Sequence, residues 1–339
     1  MRHAKEMHAM RLFVLLLGLV LFVLCDAVEG AETADFRATA SATAQTKALE
    51  CATSNATDNA TASPSAPRPG SRWVEPRSGI AFRWVPQGCF SMGSPDAEAE
   101  RGPDEGPQHE VCLSGFWMGE TEVTQGQWAA LMGSNPSLIK NGEAYPVDMV
   151  SWEMAQEFVA ALNVASGGAF RLPTEAEWEY ACRAGTSTRF FFGEEIIHDQ
   201  ASFDKRFSLP AEPLAPRRKA KKKKKLPAKR VVRTWPNMHT SVVASFPANA
   251  YGLHDMHGNL WEWCQDVYDR DYYRRSPHEN PRCEGEGTSR VLRGGSWVTK
   301  SEALRSANRS RGWPDMRTAF YGLRVVRSAQ GAEAPQISR

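Results

Sequence analysis

The sequence predicts an α+β domain with few regular elements and many loops. Three observations lead there. Short apolar runs of strand length recur between polar stretches rich in Gly and Pro. Only three segments combine a helix-opening residue with a helical apolar face. Eleven Trp outnumber seven Tyr, and the first is Trp73, so bulky side chains are at hand to fill the space that sparse secondary structure leaves between loops. A hydrophobic fraction of 42% with 24% charged residues excludes a wholly disordered or collagen-like chain. A mean hydropathy of −0.46 and one long apolar run exclude a protein with many membrane spans.

The elements follow in order. Ile80 to Pro86 alternates as a strand does. Cys89–Gly93 and Val111–Gly119 read as two further strands, separated by a polar loop rich in Gly and Pro. Thr124 caps a short helix running through Met132. Ser151 caps a longer one, with Trp152, Ala155, Phe158, Val159 and Leu162 on one face. Thr174 and Glu177 form a capping box that opens a third helix through Ala184. Short strands and loops complete the chain. No repeat and no second hydrophobic core is visible, so one domain is expected over residues 73–328.

The flanks differ from this body. Arg2, Lys5 and Arg11 precede an apolar run from Leu12 to Leu24, the pattern of an export signal and short for a membrane-spanning helix. A signal over residues 1–27, cleaved after Ala27, is expected. Cys25 would be the lipid acceptor of a lipoprotein, but Leu24 is larger than such signals use; an uncleaved signal would instead anchor the chain in a membrane. The protein is therefore expected to be exported, periplasmic or extracellular, where cysteines face an oxidising environment. Residues 28–72 form an Ala/Thr/Ser/Pro-rich linker with too little apolar surface to offset its ordering entropy. Asn55-Ala-Thr57 and Asn59-Ala-Thr61 match the glycosylation acceptor pattern, which a Thr-rich tract also produces by chance. Residues 329–339 read as a disordered tail.

The formal net charge of +2 conceals two opposite parts. Arg217 to Arg233 holds eleven Lys and Arg and no acid, leaving 30 basic against 39 acidic residues elsewhere. This run lies in an insertion over residues 205–236. Like charges at such density stay solvated. The insertion reads as a surface loop able to contact an anionic polymer or a membrane surface. Nucleic acid is not expected as a partner of an exported chain, and no aromatic residue is interleaved with the run.

Four blocks carry a resemblance. They are Gly115-Phe-Trp-Met-Gly-Glu-Thr-Glu-Val-Thr-Gln-Gly-Gln-Trp128, Arg171-Leu-Pro-Thr-Glu-Ala-Glu-Trp-Glu-Tyr-Ala-Cys-Arg-Ala-Gly185, Asn249-Ala-Tyr-Gly-Leu-His-Asp-Met-His-Gly-Asn-Leu-Trp-Glu-Trp263 and Arg290-Val-Leu-Arg-Gly-Gly-Ser-Trp297. Arg305-Ser-Ala-Asn-Arg309 and Gly322-Leu-Arg324 follow the last of them. In order and spacing the chain resembles the formylglycine-generating enzyme, or sulfatase-modifying factor, family. The resemblance covers residues 73–328 apart from the insertion, and implies that family's irregular fold, related to C-type lectins. Physically, Glu175, Glu177 and Glu179 are placed to pair with arginines. Arginines 290, 293, 305, 309 and 324 read mostly as ion-pair partners that hold loops together. Gly258-Asn259 forms a turn that aims carbonyls at one centre, and Gly294-Gly295 permits close backbone approach.

The resemblance also implies a structural calcium ion. Its ligands would be Asp255 and Glu262 by side chain, and Gly258 and Leu260 by backbone carbonyl; hard cations favour such oxygens. Without metal, Asp255 would cap a turn and Glu262 would pair with an arginine. A second calcium site of the family begins with Asn where Ser202 stands, and is not assigned. Copper is not expected. The family's copper oxidases carry two cysteines after the Gly-Gly-Ser-aromatic motif, whereas this segment reads Trp297-Val-Thr-Lys-Ser-Glu-Ala-Leu-Arg305. Soft thiolates hold Cu(I), and neither Thr299 nor Leu304 replaces one.

Cys89 and Cys112 lie on neighbouring expected strands and are expected to pair; Cys264 and Cys283 are candidates for a second disulfide. Cys182 reads as a small buried residue, and Cys51 as a free linker thiol. His254, His257 and His239 could form a metal triad, though loop histidines more often pack or face solvent. Two functions are carried forward. In one, the protein binds a peptide, glycan or other small polar ligand on a lectin-like face made of Trp263, Ser296, Trp297, Arg305 and Arg309. In the other, it oxidatively modifies a protein or metabolite through a metal or site that the sequence does not identify; the catalytic residues are unknown.

Overall fold

The computed structural model describes residues 67–204 and 240–329. The export signal, nearly all of the linker with both acceptor asparagines and Cys51, the whole basic insertion, His239, and all but the first residue of the tail lie outside the described residues. No helix among the described residues is long and apolar enough to cross a membrane.

Among the described residues, eleven short strands and three α-helices make up the α+β fold. Strands β1 (Arg72–Val74), β2 (Ala81–Val85), β5 (Phe116–Gly119), β6 (Phe170–Arg171) and β11 (Val326–Ser328) build a five-stranded antiparallel sheet in the order β1-β2-β5-β11-β6. Strands β7 (Trp261–Val267), β8 (Arg290–Arg293), β9 (Ser310–Gly312) and β10 (Tyr321–Gly322) form a second sheet, ordered β10-β7-β8-β9, in which β10 runs parallel to β7. β3 (Gly88–Met92) and β4 (His109–Leu113) pair as a separate hairpin.

The single strand expected over Val111–Gly119 is two strands. Its first half pairs with β3 and its second half with β2. The break falls at Ser114-Gly115. A Cβ on Gly115 would lie 2.5 Å from the Trp84 ring, so only glycine lets the chain pass there.

The helices form where their caps place them. Thr124 accepts from the Gln127 amide at 3.2 Å to open α1 (Gln125–Met132), and Ser151 accepts from the Met154 amide at 3.2 Å to open α2 (Trp152–Ser166). Ala155, Phe158, Val159 and Leu162 of α2 are buried as the spacing predicts, while Trp152 is half-buried. The capping box of α3 (Glu175–Arg183) joins Thr174 and Glu177 reciprocally.

The expectation of a single core gives way to two large apolar clusters. One gathers Phe82, Trp84, Trp117, Trp128, Phe158 and Trp263. The other gathers Val85, Phe116, Met118, Trp178, Cys264 and Val291. Strand alternation is the cause. Trp117 enters the first cluster while its neighbours Phe116 and Met118 enter the second, and Trp263 and Cys264 divide in the same way. β5 is buried along its whole length, so its sequence shows no polar face to betray two environments.

Candidate functional site

The third and fourth sequence blocks meet at a pair of strained turns. Asp255 (φ 58°), Gly258 (φ 92°) and Asn259 (φ 64°) turn the chain into β7, and Gly294 and Gly295 (φ 98° and 78°) turn it out of β8. The Gly258 amide donates to the Gly294 carbonyl at 2.8 Å. A Cβ on Gly258 would sit 2.2 Å from the Ser202 carbonyl oxygen, and one on Gly295 would sit 2.7 Å from Leu304, so the glycines are required by close approach.

Within this framework the proposed calcium set divides. Glu262 is saturated by protein donors. Arg324 reaches its two oxygens at 2.8–3.1 Å, and the Trp178 indole N–H donates at 2.8 Å. Four donor contacts use the acceptor capacity of one carboxylate. Asp255 is different. Its Oδ2 accepts from the Ala244 amide at 2.7 Å, but its buried Oδ1 has no hydrogen-bond partner. A second buried acid, Glu122, lies close enough to feel the charge of Asp255. It is 1% exposed, with Oε2 held by the Asn259 amide side chain at 3.3 Å and Oε1 unpartnered. Burial, followed by the charge of Asp255, pushes the Glu122 carboxyl well above its ordinary range; burial likewise raises Asp255. Two buried acids with orphaned oxygens are costly unless a cation or proton joins them. An oxygen-loving divalent cation fits Asp255 and Glu122, with Gly258 and Leu260 buried beside Asp255 in the same turn. It does not fit Glu262 as a free ligand. Glu122 escapes sequence reading because nothing local ties it to Asp255; its one signal is an acid immediately before the buried pair Val123-Thr124.

Of the five residues assigned to the lectin-like face, four are spent inside the protein. Trp263 is fully buried and donates to the Val150 carbonyl at 2.9 Å. Arg305 is clamped by Glu105 and Glu98, and Arg309 is bidentate to Glu175. Ser296 is fully buried with an unpartnered hydroxyl. Trp297 is half-buried, its indole donating to the Ala319 carbonyl at 3.2 Å. Packing brings these residues to the interior because loops joined by few backbone bonds need charged clamps.

The segment after Ser296 folds tightly against the body. Thr299 accepts from the Ser296 amide at 2.9 Å and donates to its carbonyl at 2.8 Å. A 3₁₀ turn follows over Ser301–Leu304. His257 pins its end. Its Nδ1 lies 2.6 Å from the Leu304 carbonyl, and its Nε2 accepts from the Phe191 amide at 3.1 Å, which fixes a neutral ring protonated on Nδ1. Burial pushes this imidazole down to about 4. Phe190, Phe191 and Phe192 surround it. His254 points elsewhere, with Nδ1 2.8 Å from the Phe246 carbonyl.

Cys89 and Cys112 form the expected disulfide. Cys264 and Cys283 do not; both are buried free thiols, as is Cys182. The reason is register. The residue whose amide meets the Cys283 carbonyl is Val267, three positions along β7, while Cys264 turns into the second apolar cluster. Burial raises Cys182 to about 12 and Cys283 to about 11, so neither is an activated thiolate.

Exposed aromatic surface lies instead beside β9. A groove of about 600 Å³ is bounded by Tyr268, Glu286, Arg311, Trp313, Met316 and Tyr321. Trp313 is 60% exposed, and the Arg311 guanidinium lies over the Tyr268 ring at 4.6 Å. No reading of the sequence singled out Trp313, since a lone Trp in a loop carries no pattern.

Residues 74–329 match the family described as the sulfatase-modifying factor enzyme 1-like domain. A serine/threonine-protein kinase pkn1 of Chlamydia caviae is 32% identical over 73% of this chain, but the chain spans only 38% of that kinase's length. A formylglycine-generating enzyme of Streptomyces coelicolor is 29% identical over 79% of this chain and 95% of the enzyme. The structure of PvdO from Pseudomonas aeruginosa superposes with a TM-score of 0.63 at 28% identity, covering 77% of this chain and 99% of PvdO.

Proposed function

Because the chain belongs to the sulfatase-modifying factor enzyme 1-like domain family, we propose that it is a non-copper member that binds a polar ligand, a peptide or glycan, instead of oxidising a thiol. One observation carries this reading. The segment Trp297–Arg305 holds neither cysteine nor histidine, and it is folded shut by the Ser296–Thr299 turn and the His257 pin. The buried, strongly protonated thiols elsewhere supply no soft ligand pair in its place.

The groove beside β9 is the better ligand site. Trp313 and Tyr268 offer aromatic planes, and Arg311 and Glu286 offer one charge of each sign. Such a lining suits a sugar ring or an extended peptide. Calcium, held by Asp255 and Glu122, serves this function structurally by neutralising the two buried acids beneath the β7 turn. An exported setting is supported by the Cys89–Cys112 disulfide. There the basic insertion attaches the protein to an anionic polymer or membrane surface.

The test is elemental analysis of the purified chain together with incubation of a Cys-x-Pro-x-Arg peptide under O₂ and reductant. Stoichiometric calcium, no tightly held copper and an unchanged peptide thiol are expected. Conversion of the thiol to an aldehyde would overturn the proposal in favour of an oxidoreductase. In a glycan and peptide array, W313A is expected to weaken the strongest signal by about fivefold or more.

A further inference from the structure

The β3–β4 hairpin carries a set of side chains that the ligand-binding reading does not use. Cys89 and Cys112 are paired residues across the hairpin and joined by the disulfide. The chain at 278–280 runs alongside β4 here. The Cys112 amide donates to the His278 carbonyl, and the Asn280 amide to the Cys112 carbonyl, both at 2.8 Å. This alignment leaves His278 Nε2 3.6 Å from Cys112 Sγ and 3.0 Å from a Glu110 carboxylate oxygen. The donor atoms of Glu110, Cys112 and His278 all lie within 4.8 Å of one another.

These spacings are those of a metal site. A tetrahedral zinc ion with ordinary Zn–S and Zn–N bonds separates sulfur from nitrogen by about 3.5 Å. His278 Nδ1 lies 3.0 Å from the Glu279 carboxylate, the carboxylate–imidazole contact that orients a metal-binding histidine and leaves Nε2 for the ion. One element is missing, because the Cys112 sulfur is engaged with Cys89.

We propose that reduction of the Cys89–Cys112 disulfide converts this corner into a zinc-class metal site, held by Cys112, His278 and Glu110 with Cys89 as the fourth ligand. The balance is simple. An external dithiol gives two electrons and two protons and becomes a disulfide, while the S–S bond of the protein opens to two thiols. The metal then displaces a proton from each ligating thiol and any proton on Nε2. Reoxidation by an external disulfide, which takes up the two electrons and is reduced to two thiols, re-forms the S–S bond and releases the ion. The corner is open to both reagents: Cys89 is exposed, and the side chains of His278 and Glu110 are 51% and 72% exposed.

Cobalt(II) is the probe, because thiolate ligation gives it a charge-transfer band and tetrahedral geometry gives intense visible bands. The full chain is titrated oxidised, and again after reduction and anaerobic removal of the reductant. The oxidised chain is expected to show no thiolate band, and the reduced chain one equivalent of tetrahedral cobalt that zinc displaces. H278A and E110Q are each expected to weaken binding by about tenfold or more. Should reduction loosen the hairpin, C89S supplies the Cys112 thiol without reductant; it is expected to retain native circular dichroism and give a weaker band from one thiolate. The proposal is overturned by an oxidised chain that binds equally well, or by no band in both the reduced chain and C89S. An affinity unchanged in H278A, or a band that persists in C89S/C112S, overturns it as well.

Discussion

Arg293 has no solvent exposure, yet it stays charged. It donates to Glu179 and to the carbonyls of Ser306 and Ala307, and it lies 3.8 Å from Glu175. Glu179 in turn receives Arg183 at 2.9 Å and the Gly93 amide at 2.9 Å. Removing one member strands a buried charge, so R293A is expected to cost about 3–5 kcal/mol, read from urea unfolding; a cost under about 1 kcal/mol would mean that the network is solvated. Asp266 sets a pH dependence nearby. Burial first, and then the charge of Glu175, raises it to about 7, although both its oxygens accept backbone amides from Glu175 and Cys283. The folded chain thus holds its proton more tightly than the unfolded chain does. That stabilisation is complete below about pH 4 and is lost as pH rises through about 7. Glu175 acts in the opposite sense. Burial works to raise it, but Arg309 and Arg293 hold it below its ordinary 4.5, so its stabilisation is lost as pH falls. The urea midpoint is therefore expected to peak near about pH 5, with D266N flattening the decline towards neutral pH. An unchanged slope in D266N would assign the decline to another group.

Among the elements, α3 shows how a local signal survives into the fold. Thr174 Oγ1 accepts from the Glu177 amide at 3.1 Å, and Glu177 accepts from the Thr174 amide at 2.9 Å while holding Arg171 through both its oxygens at 2.6 Å. T174A is expected to cost about 1 kcal/mol in chemical unfolding. E177Q is expected to cost more, because it also leaves Arg171 without its counter-charge. All three helix starts were legible in the sequence, since a cap is a matter of residues three apart. The strand break at Gly115 was not. The ring of Trp84 on a neighbouring strand is what demands a glycine there, and no spacing along the chain reports that contact.

For the whole molecule, the calcium ion proposed at Asp255 and Glu122 would link stability to that ion. A ligand that binds only the folded state, present at a hundredfold over its Kd, adds about 2.7 kcal/mol, which for a domain of this size is roughly 5–10 °C in Tm. A chelator is expected to lower Tm by that order and added calcium to restore it. E122Q is expected to shrink the difference, because it removes the charge of the one acid whose Oε1 has no protein partner, whereas Glu262 is already held by Arg324. A chelator that leaves Tm unmoved would show that a proton, not a metal, joins the two acids.

The sequence by itself determined the family, the α+β class, the helix starts, the Cys89–Cys112 pairing and the lack of thiols in Trp297–Arg305. Each of these is written in neighbouring residues or in the order of blocks. Only the tertiary structure decided which charges are spent. It gave Glu262 to Arg324, Arg305 to Glu105 and Arg309 to Glu175, and it set Glu122 beside Asp255. A carboxylate is free to bind a ligand only when no guanidinium has been folded against it. That depends on which distant segments the sheets bring together, and a single chain of letters does not record it.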